Sequence, residues 1–209
     1  MATELITTRA LTNLERVKTR LGIDNAKNDT LIERLIMGVT DHLESLCNRK
    51  FGEATYTNEV YSVPNSSMDM LALKQTPVTT LTSLSYRLGT PSAPAWTPYL
   101  VDDYELINDG KSGLVRVYGG IYRGSNTIRA TYTAGYKIDF GFPTDTTKHT
   151  LPFDLSDLAE RLITKRLKKR EHEGKLNESF DGGTVTWDAF IDAGDREIVN
   201  RYTRLPSFV

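Results

Sequence analysis

The sequence predicts an α+β protein: a small helical core with helices near residues 12–21, 29–48 and 152–171, an inserted antiparallel β-rich module, and an extended C-terminal tail. Three observations carry that prediction. Apolar residues recur at helical spacing towards both ends of the chain, the middle holds runs that alternate with period two, and turn-forming glycine and asparagine pairs divide the middle into short pieces. On this reading residues 1–53 and 151–209 make the helical core with its tail, and residues 54–150 make the insert.

In the first element, Thr12 and Glu15 have the spacing of a capping box. The threonine oxygen would accept the orphan N–H of Glu15 while the glutamate reaches back to the cap. Leu14, Val17 and Leu21 follow at helical spacing, and Gly22 supplies the left-handed residue on which a helix commonly ends. Thr30 and Glu33 repeat the capping pattern at the start of a longer helix over residues 29–48. Its apolar line runs through Leu31, Leu35, Val39, Leu43 and Leu46, widened by Ile32, Ile36 and Cys47.

From Ala54 to Thr150 the composition shifts: nine of the ten tyrosines fall here and charges become sparse, which favours strands and turns over helices. The clearest strand is Thr127 to Ala134, with Ile128, Ala130, Tyr132 and Ala134 on one face. Further strands are expected at Thr55 to Ser62, Met70 to Leu73, Val78 to Arg87, Tyr104 to Ile107 and Leu114 to Tyr118. Pro152 then suits the first turn of a third helix, whose apolar face is Leu155, Leu158, Leu162, Ile163 and Leu167. Gly174 to Val185 reads as a mobile loop, Asp195 to Tyr202 as a short helix, and Leu205 to Val209 as an apolar extended tail.

Composition excludes several classes. With 39% apolar and 25% charged residues over 209 positions, the chain is expected to fold and is not disordered. No apolar run approaches the roughly 18 to 20 residues that span a bilayer, and the N-terminus lacks the pattern of a signal peptide, so a cytoplasmic site of synthesis and no membrane partner are expected. Cys47 alone supports neither a disulfide framework nor a cysteine-based zinc site. A net charge of −1 rules out a globally basic nucleic-acid binder while leaving room for a basic face.

Catalysis needs converging groups, and the sequence offers few. His42, His149 and His172 belong to no metal-ligand spacing, Asp102, Asp103 and Glu105 lack the pattern of a calcium loop, and Gly119, Gly120 and Gly124 match no phosphate loop. No catalytic residue, cofactor or metal is therefore expected. Two features remain. Arg161, Lys165, Lys168 and His172, widened by Arg166, Lys169 and Arg170, form a basic stripe on the third helix. It fits DNA phosphates, a neighbouring subunit, or a solvated face favoured by the negative end of the helix dipole. In the tail, Leu205, Phe208 and Val209 need cover, from their own chain or from a partner whose sheet they extend. Trp187 and Phe190 pose the same choice.

The order of segments resembles a known family. L-x-x-V-K-T-R-L-G-I-D at 14–24, D-T-L-I-E-R-L-I at 29–36 and L-C-N-R-K-F at 46–51 come first. L-K-Q-T-P-V-T-T-L-T-S-L at 73–84, I-R-A-T-Y-T-A-G-Y at 128–136, L-P-F-D-L-S-D-L-A at 151–159 and R-Y-T-R at 201–204 follow. Together they resemble the head-tail adaptor, or connector, proteins of tailed double-stranded DNA phages and gene-transfer agents. The resemblance implies a structural subunit of the virion neck, made in the host cytoplasm. Such subunits form a generally dodecameric ring under the portal, extend the DNA channel, contact packaged DNA, and join the filled head to a tail or stopper protein, while a subunit in isolation can be a monomer. It also implies that the C-terminal segment, here Arg201, Tyr202, Leu205, Phe208 and Val209, docks on the portal. The large middle segment departs from the nearly all-helical minimal members. The alternative reading is a DNA-packaging accessory that binds nucleic acid through Arg161, Lys165, Lys168 and Lys169.

Overall fold

The structure is a computed structural model describing residues 8–63, 69–90, 92–169, 177–180, 183–186 and 191–204, the two short segments at 177 and 183 by backbone alone. It is α+β, and the chain divides into two compact units, one drawn from Met1–Asn48 with Lys137–Arg204 and the other from Arg49–Tyr136. The stretch 137–150 therefore groups with the helices. Its ends are tied to each other there: the Lys137 N–H donates to Thr150 Oγ1 at 2.9 Å and the Thr150 N–H donates to the Lys137 carbonyl at 2.9 Å.

Among the described residues the helical unit holds α1 (Leu14–Leu21), α2 (Asp29–Cys47), α3 (Phe153–Lys169) and α4 (Ala193–Tyr202). Neither expected capping box in its first half forms. Asn13 caps α1 by accepting the Arg16 N–H at 3.0 Å, because the Thr12 hydroxyl is buried and donates to Glu160. Thr30 already lies inside α2, and Asn28 at its start makes no side-chain cap bond. The ends follow expectation: Gly22 and Asn48 adopt left-handed conformations at φ 65° and 51° and return their N–H groups to the last turns.

The buried line of α2 is Ile32, Ile36, Val39, Leu43 and Cys47, one residue out of phase with much of the expected stripe. Leu31 and Leu35 are only half-buried and Leu46 is 40% exposed. α3 buries Leu155, Leu158, Leu162 and Ile163 as expected, with Leu167 half-buried. The segment read as a mobile loop instead contains an antiparallel hairpin, β8 (Asn177–Phe180) and β9 (Gly183–Thr186). His172, Arg170, Trp187, Phe190, Leu205, Phe208 and Val209 lie outside the described residues.

The second unit is built from β1 (Ala54–Val63), β2 (Met70–Ala72), β3 (Val78–Thr90), β4 (Ala93–Pro98), β5 (Tyr104–Leu106), β6 (Leu114–Val117) and β7 (Gly124–Ala134). They form antiparallel sheets of order β1-β7-β3-β4 and β2-β6-β5. β7 is central, and its inward residues Ile128, Ala130, Tyr132 and Ala134 are fully buried beside Leu84, Val115 and Val117. β4 was not expected, since A-P-A-W-T-P reads as turn sequence. An edge strand tolerates proline because it needs only half its N–H groups for the ladder, and Pro94 and Pro98 sit on the same register phase, opposite Gly89 and Ser85. Gly110, at φ +76°, lets the chain pass β3 closely: a Cβ there would lie 2.0 Å from the Val78 carbonyl oxygen.

One polar network crosses this core. Tyr132 Oη donates to Glu59 at 2.6 Å, Tyr61 Oη lies 3.2 Å from Tyr132 Oη, and the two phenols accept the Gln75 and Lys74 N–H groups, each at 3.2 Å. Burial, reinforced by Glu59, pushes both phenol pKa values well above the ordinary tyrosine range. Both stay neutral and hold the segment after β2 against the sheet.

Candidate assembly surfaces

The basic stripe of α3 is split by its surroundings. Arg161 and Lys165 turn towards the start of α4, where Asp195 is fully buried. Lys165 Nζ lies 2.8 Å from both Asp192 and Asp195, and Arg161 reaches Asp195 at 3.0 Å and Asp157 at 3.1 Å. Lys168 is exposed and Lys169 half-buried on the following turn. Two of the four stripe residues thus neutralise carboxylates of their own chain. The Lys165 ammonium, followed by the Asp195 N–H, holds the Asp192 carboxyl at a pKa of about 2.

The same carboxylates build α4. Asp192 accepts the Asp195 N–H at 2.8 Å, and Asp195 accepts the Asp192 N–H at 3.3 Å, a reciprocal capping box. At the other end Tyr202 Oη donates to Asp154 at 2.7 Å, Arg201 pairs with Asp154 at 3.2 Å, and the Arg204 N–H donates to the Cys47 carbonyl at 2.9 Å. Arg201 and Tyr202, expected in the docking segment, are therefore anchored to the start of α3. Sequence reasoning missed Asp192 and Asp195. An aspartate pair three residues apart at a helix start was the available signal, and the cations four residues apart on α3 were its counterpart.

The other candidates resolve into structural roles. Burial, with Arg166 adding to it, lowers the pKa of His42, and burial followed by Arg16 lowers that of His149. His149 Nδ1 accepts the Asp139 N–H at 3.1 Å. Asp103 accepts the Leu100 N–H at 3.0 Å, and Glu105 faces Arg116 at 3.4 Å. Among the described residues no group of three or more His, Cys, Asp or Glu side chains is placed to hold a metal, and no helix is long and apolar enough to cross a membrane.

Residues 11–76, covering α1, α2, β1 and β2, match the model of the phage gp6-like head-tail connector protein family. That stretch, about a third of the chain, is similar to a head-tail connector domain. Solved structures extend the likeness of fold beyond the connector match. A chain in the neck of an empty GTA particle computed with C6 symmetry aligns at TM-score 0.54 and 16% identity, covering 93% of this chain and 90% of that one. A chain in the neck of a native GTA particle computed with C12 symmetry aligns at TM-score 0.54 and 15% identity, covering 99% and 92%. A third, in the virion of a native gene transfer agent particle, aligns at 0.51 and 16%, covering 93% and 90%. These alignments run nearly end to end, so the likeness of fold takes in the sheet-bearing middle of the chain as well as the helices. No curated protein matches the chain.

Proposed function

We propose that this protein is a structural subunit of the virion neck that assembles into a ring under the portal, extends the DNA channel and joins the DNA-filled head to the tail, without catalysis. The observation that carries the reading is the connector domain at 11–76 within a fold that aligns end to end with neck chains of GTA particles. A ring of identical subunits needs only a repeated contact and multivalent docking, which suits a chain whose buried charges are used to fix helices. On this reading the C-terminal segment with Arg201, Tyr202, Leu205, Phe208 and Val209 meets the portal, Arg201 and Tyr202 from the anchored end of α4, and a tail or stopper protein meets the ring from the other side.

The test is electron microscopy and mass measurement of the full chain mixed with purified portal. A ring stacked on the portal is the expected result. A chain that stays monomeric and never associates with portal overturns the reading. DNA contact is tested separately: Lys168→Ala with Lys169→Ala should flatten the salt dependence of binding to duplex DNA, each lost phosphate contact reducing the slope by roughly one unit.

A further inference from the structure

The most exposed of the large apolar side chains among the described residues form two groups of different electrostatic character. In the sheet unit, Leu100 and Val101 are 71% and 79% exposed, and Tyr118 is 51% exposed. They are held on a built platform. Asp103 accepts the Leu100 N–H, the Tyr118 N–H donates to the Asp103 carbonyl at 2.7 Å, and Tyr99 packs on Tyr86 with the rings tilted by 59° and their centroids 4.9 Å apart. Asp102, exposed beside Val101, gives this knob an acidic rim.

In the helical unit, Phe142 and Phe153 are 51% and 61% exposed. Lys148 Nζ sits 3.5 Å from the centre of the Phe142 ring, and Phe153 continues the row of rings through His149 to Phe140. The neighbouring carboxylates are engaged locally: Asp139 accepts the Gly141 N–H at 3.0 Å, and Asp145 accepts the Thr147 N–H at 3.0 Å and its hydroxyl at 2.6 Å while its other oxygen lies 4.0 Å from Lys148 Nζ. Lys148, about half exposed and only loosely paired with Asp145, is thus the cation at the edge of an aromatic surface. Exposed apolar groups on one turn and one aromatic seat, with opposite rim charges, are what a head-to-tail contact between identical chains requires.

We infer that the Leu100–Val101 knob of one copy seats on the Phe142–Phe153 surface of the next, with Asp102 meeting Lys148, so that the two surfaces form the repeating contact between subunits. The inference rests on the ring reading above, and a second copy of this chain is the committed occupant. A hydrophobic centre with a charged rim follows the anatomy of specific interfaces: Val101, Leu100 and the phenyl rings supply the buried area, and the ion pair sets register.

The test is disulfide trapping in the full chain assembled on portal, with buried Cys47 retained throughout as an internal control. The double variant Val101→Cys with Phe142→Cys should give a ladder of linked multimers. Mixing the two single variants should give dimers only, and neither single variant alone should link. Linked dimers from Val101→Cys alone would mean a symmetric contact and overturn the inference. So would cross-linking of Val101→Cys to portal or tail protein, or rings that assemble with no linkage. A chain that never leaves the monomer with portal present overturns the ring reading itself, which separates the two failures. As an independent readout, Asp102→Lys should raise the concentration needed for assembly about tenfold, and adding Lys148→Asp should restore it. Loss without rescue would overturn the pairing.

Discussion

Replacing Asp195 with asparagine keeps the size of a fully buried side chain and removes its charge, which makes it the sharpest probe of how the C-terminal helix is held. The carboxylate lies 2.8 Å from Lys165, 3.0 Å from Arg161 and 3.3 Å from the Asp192 N–H. Breaking a buried ion pair by removing one partner costs about 3–5 kcal/mol. Here each cation keeps another carboxylate, Asp192 for Lys165 and Asp157 for Arg161, and each is partly in water. The loss for Asp195→Asn should therefore fall to about 2–3 kcal/mol. Urea unfolding at neutral pH measures it, and a double-mutant cycle with Lys165→Met should show a coupling of at least about 1 kcal/mol. Hydrogen exchange should quicken at α4 amides before those of α2, since α4 buries only Asp195 and Val199. An Asp195→Asn protein within about 0.5 kcal/mol of wild type, or strictly additive effects in the cycle, would refute the reasoning.

Four further outcomes follow from the geometry. The Asp192 carboxyl is held down to about 2, below its unfolded value of about 3.9, so its contribution is present above about pH 4 and lost as pH falls towards about 2; carboxyl NMR titration should show the low midpoint, and Lys165→Met should return it towards the ordinary range. Tyr132→Phe strands the Gln75 N–H and a bond to Glu59, and should cost about 1–3 kcal/mol in thermal or urea unfolding, while ultraviolet titration of the wild type should find Tyr61 and Tyr132 un-ionised until the protein unfolds in alkali. Ile36→Ala should cost about 2–5 kcal/mol but Leu46→Ala under about 1 kcal/mol, because the first is fully buried and the second partly exposed. Gly110→Ala and Gly120→Ala share positive φ, yet only the first would push a Cβ against Val78, so its unfolding midpoint should drop further.

Much of the architecture was legible because it depends on local pattern. The alternation at 127–134 places one set of residues on one face whatever the sheet order, and those residues are the buried row of β7. Gly22 and Asn48 end their helices through backbone preferences that need no distant partner. Proline-rich β4 and the hairpin at 177–186 were not legible, because their pairing partners and not their own propensities make them strands. The phase of α2 was read one residue off, centred on Leu31 and Leu35, since apolar residues occupy both Leu31–Leu35 and Ile32–Ile36 and only packing in the folded unit selects which line is buried.

The charges divide in the same way. Sequence by itself determined that Arg161, Lys165, Lys168 and Lys169 lie on one helix, that no grouping of histidines, carboxylates or a nucleophile follows a catalytic spacing, and that the order of segments resembles that of connectors, whose family model matches residues 11–76. Only the tertiary structure decided how those cations are spent. It brought Asp192 and Asp195, about thirty residues away in sequence, within 2.8 Å of Lys165, converting half of a stripe that fitted DNA, a neighbouring subunit or solvent into the mount of the C-terminal helix. The physical reason is that helical spacing fixes which face a charge occupies, whereas its energy depends on which opposite charge the fold carries to that face.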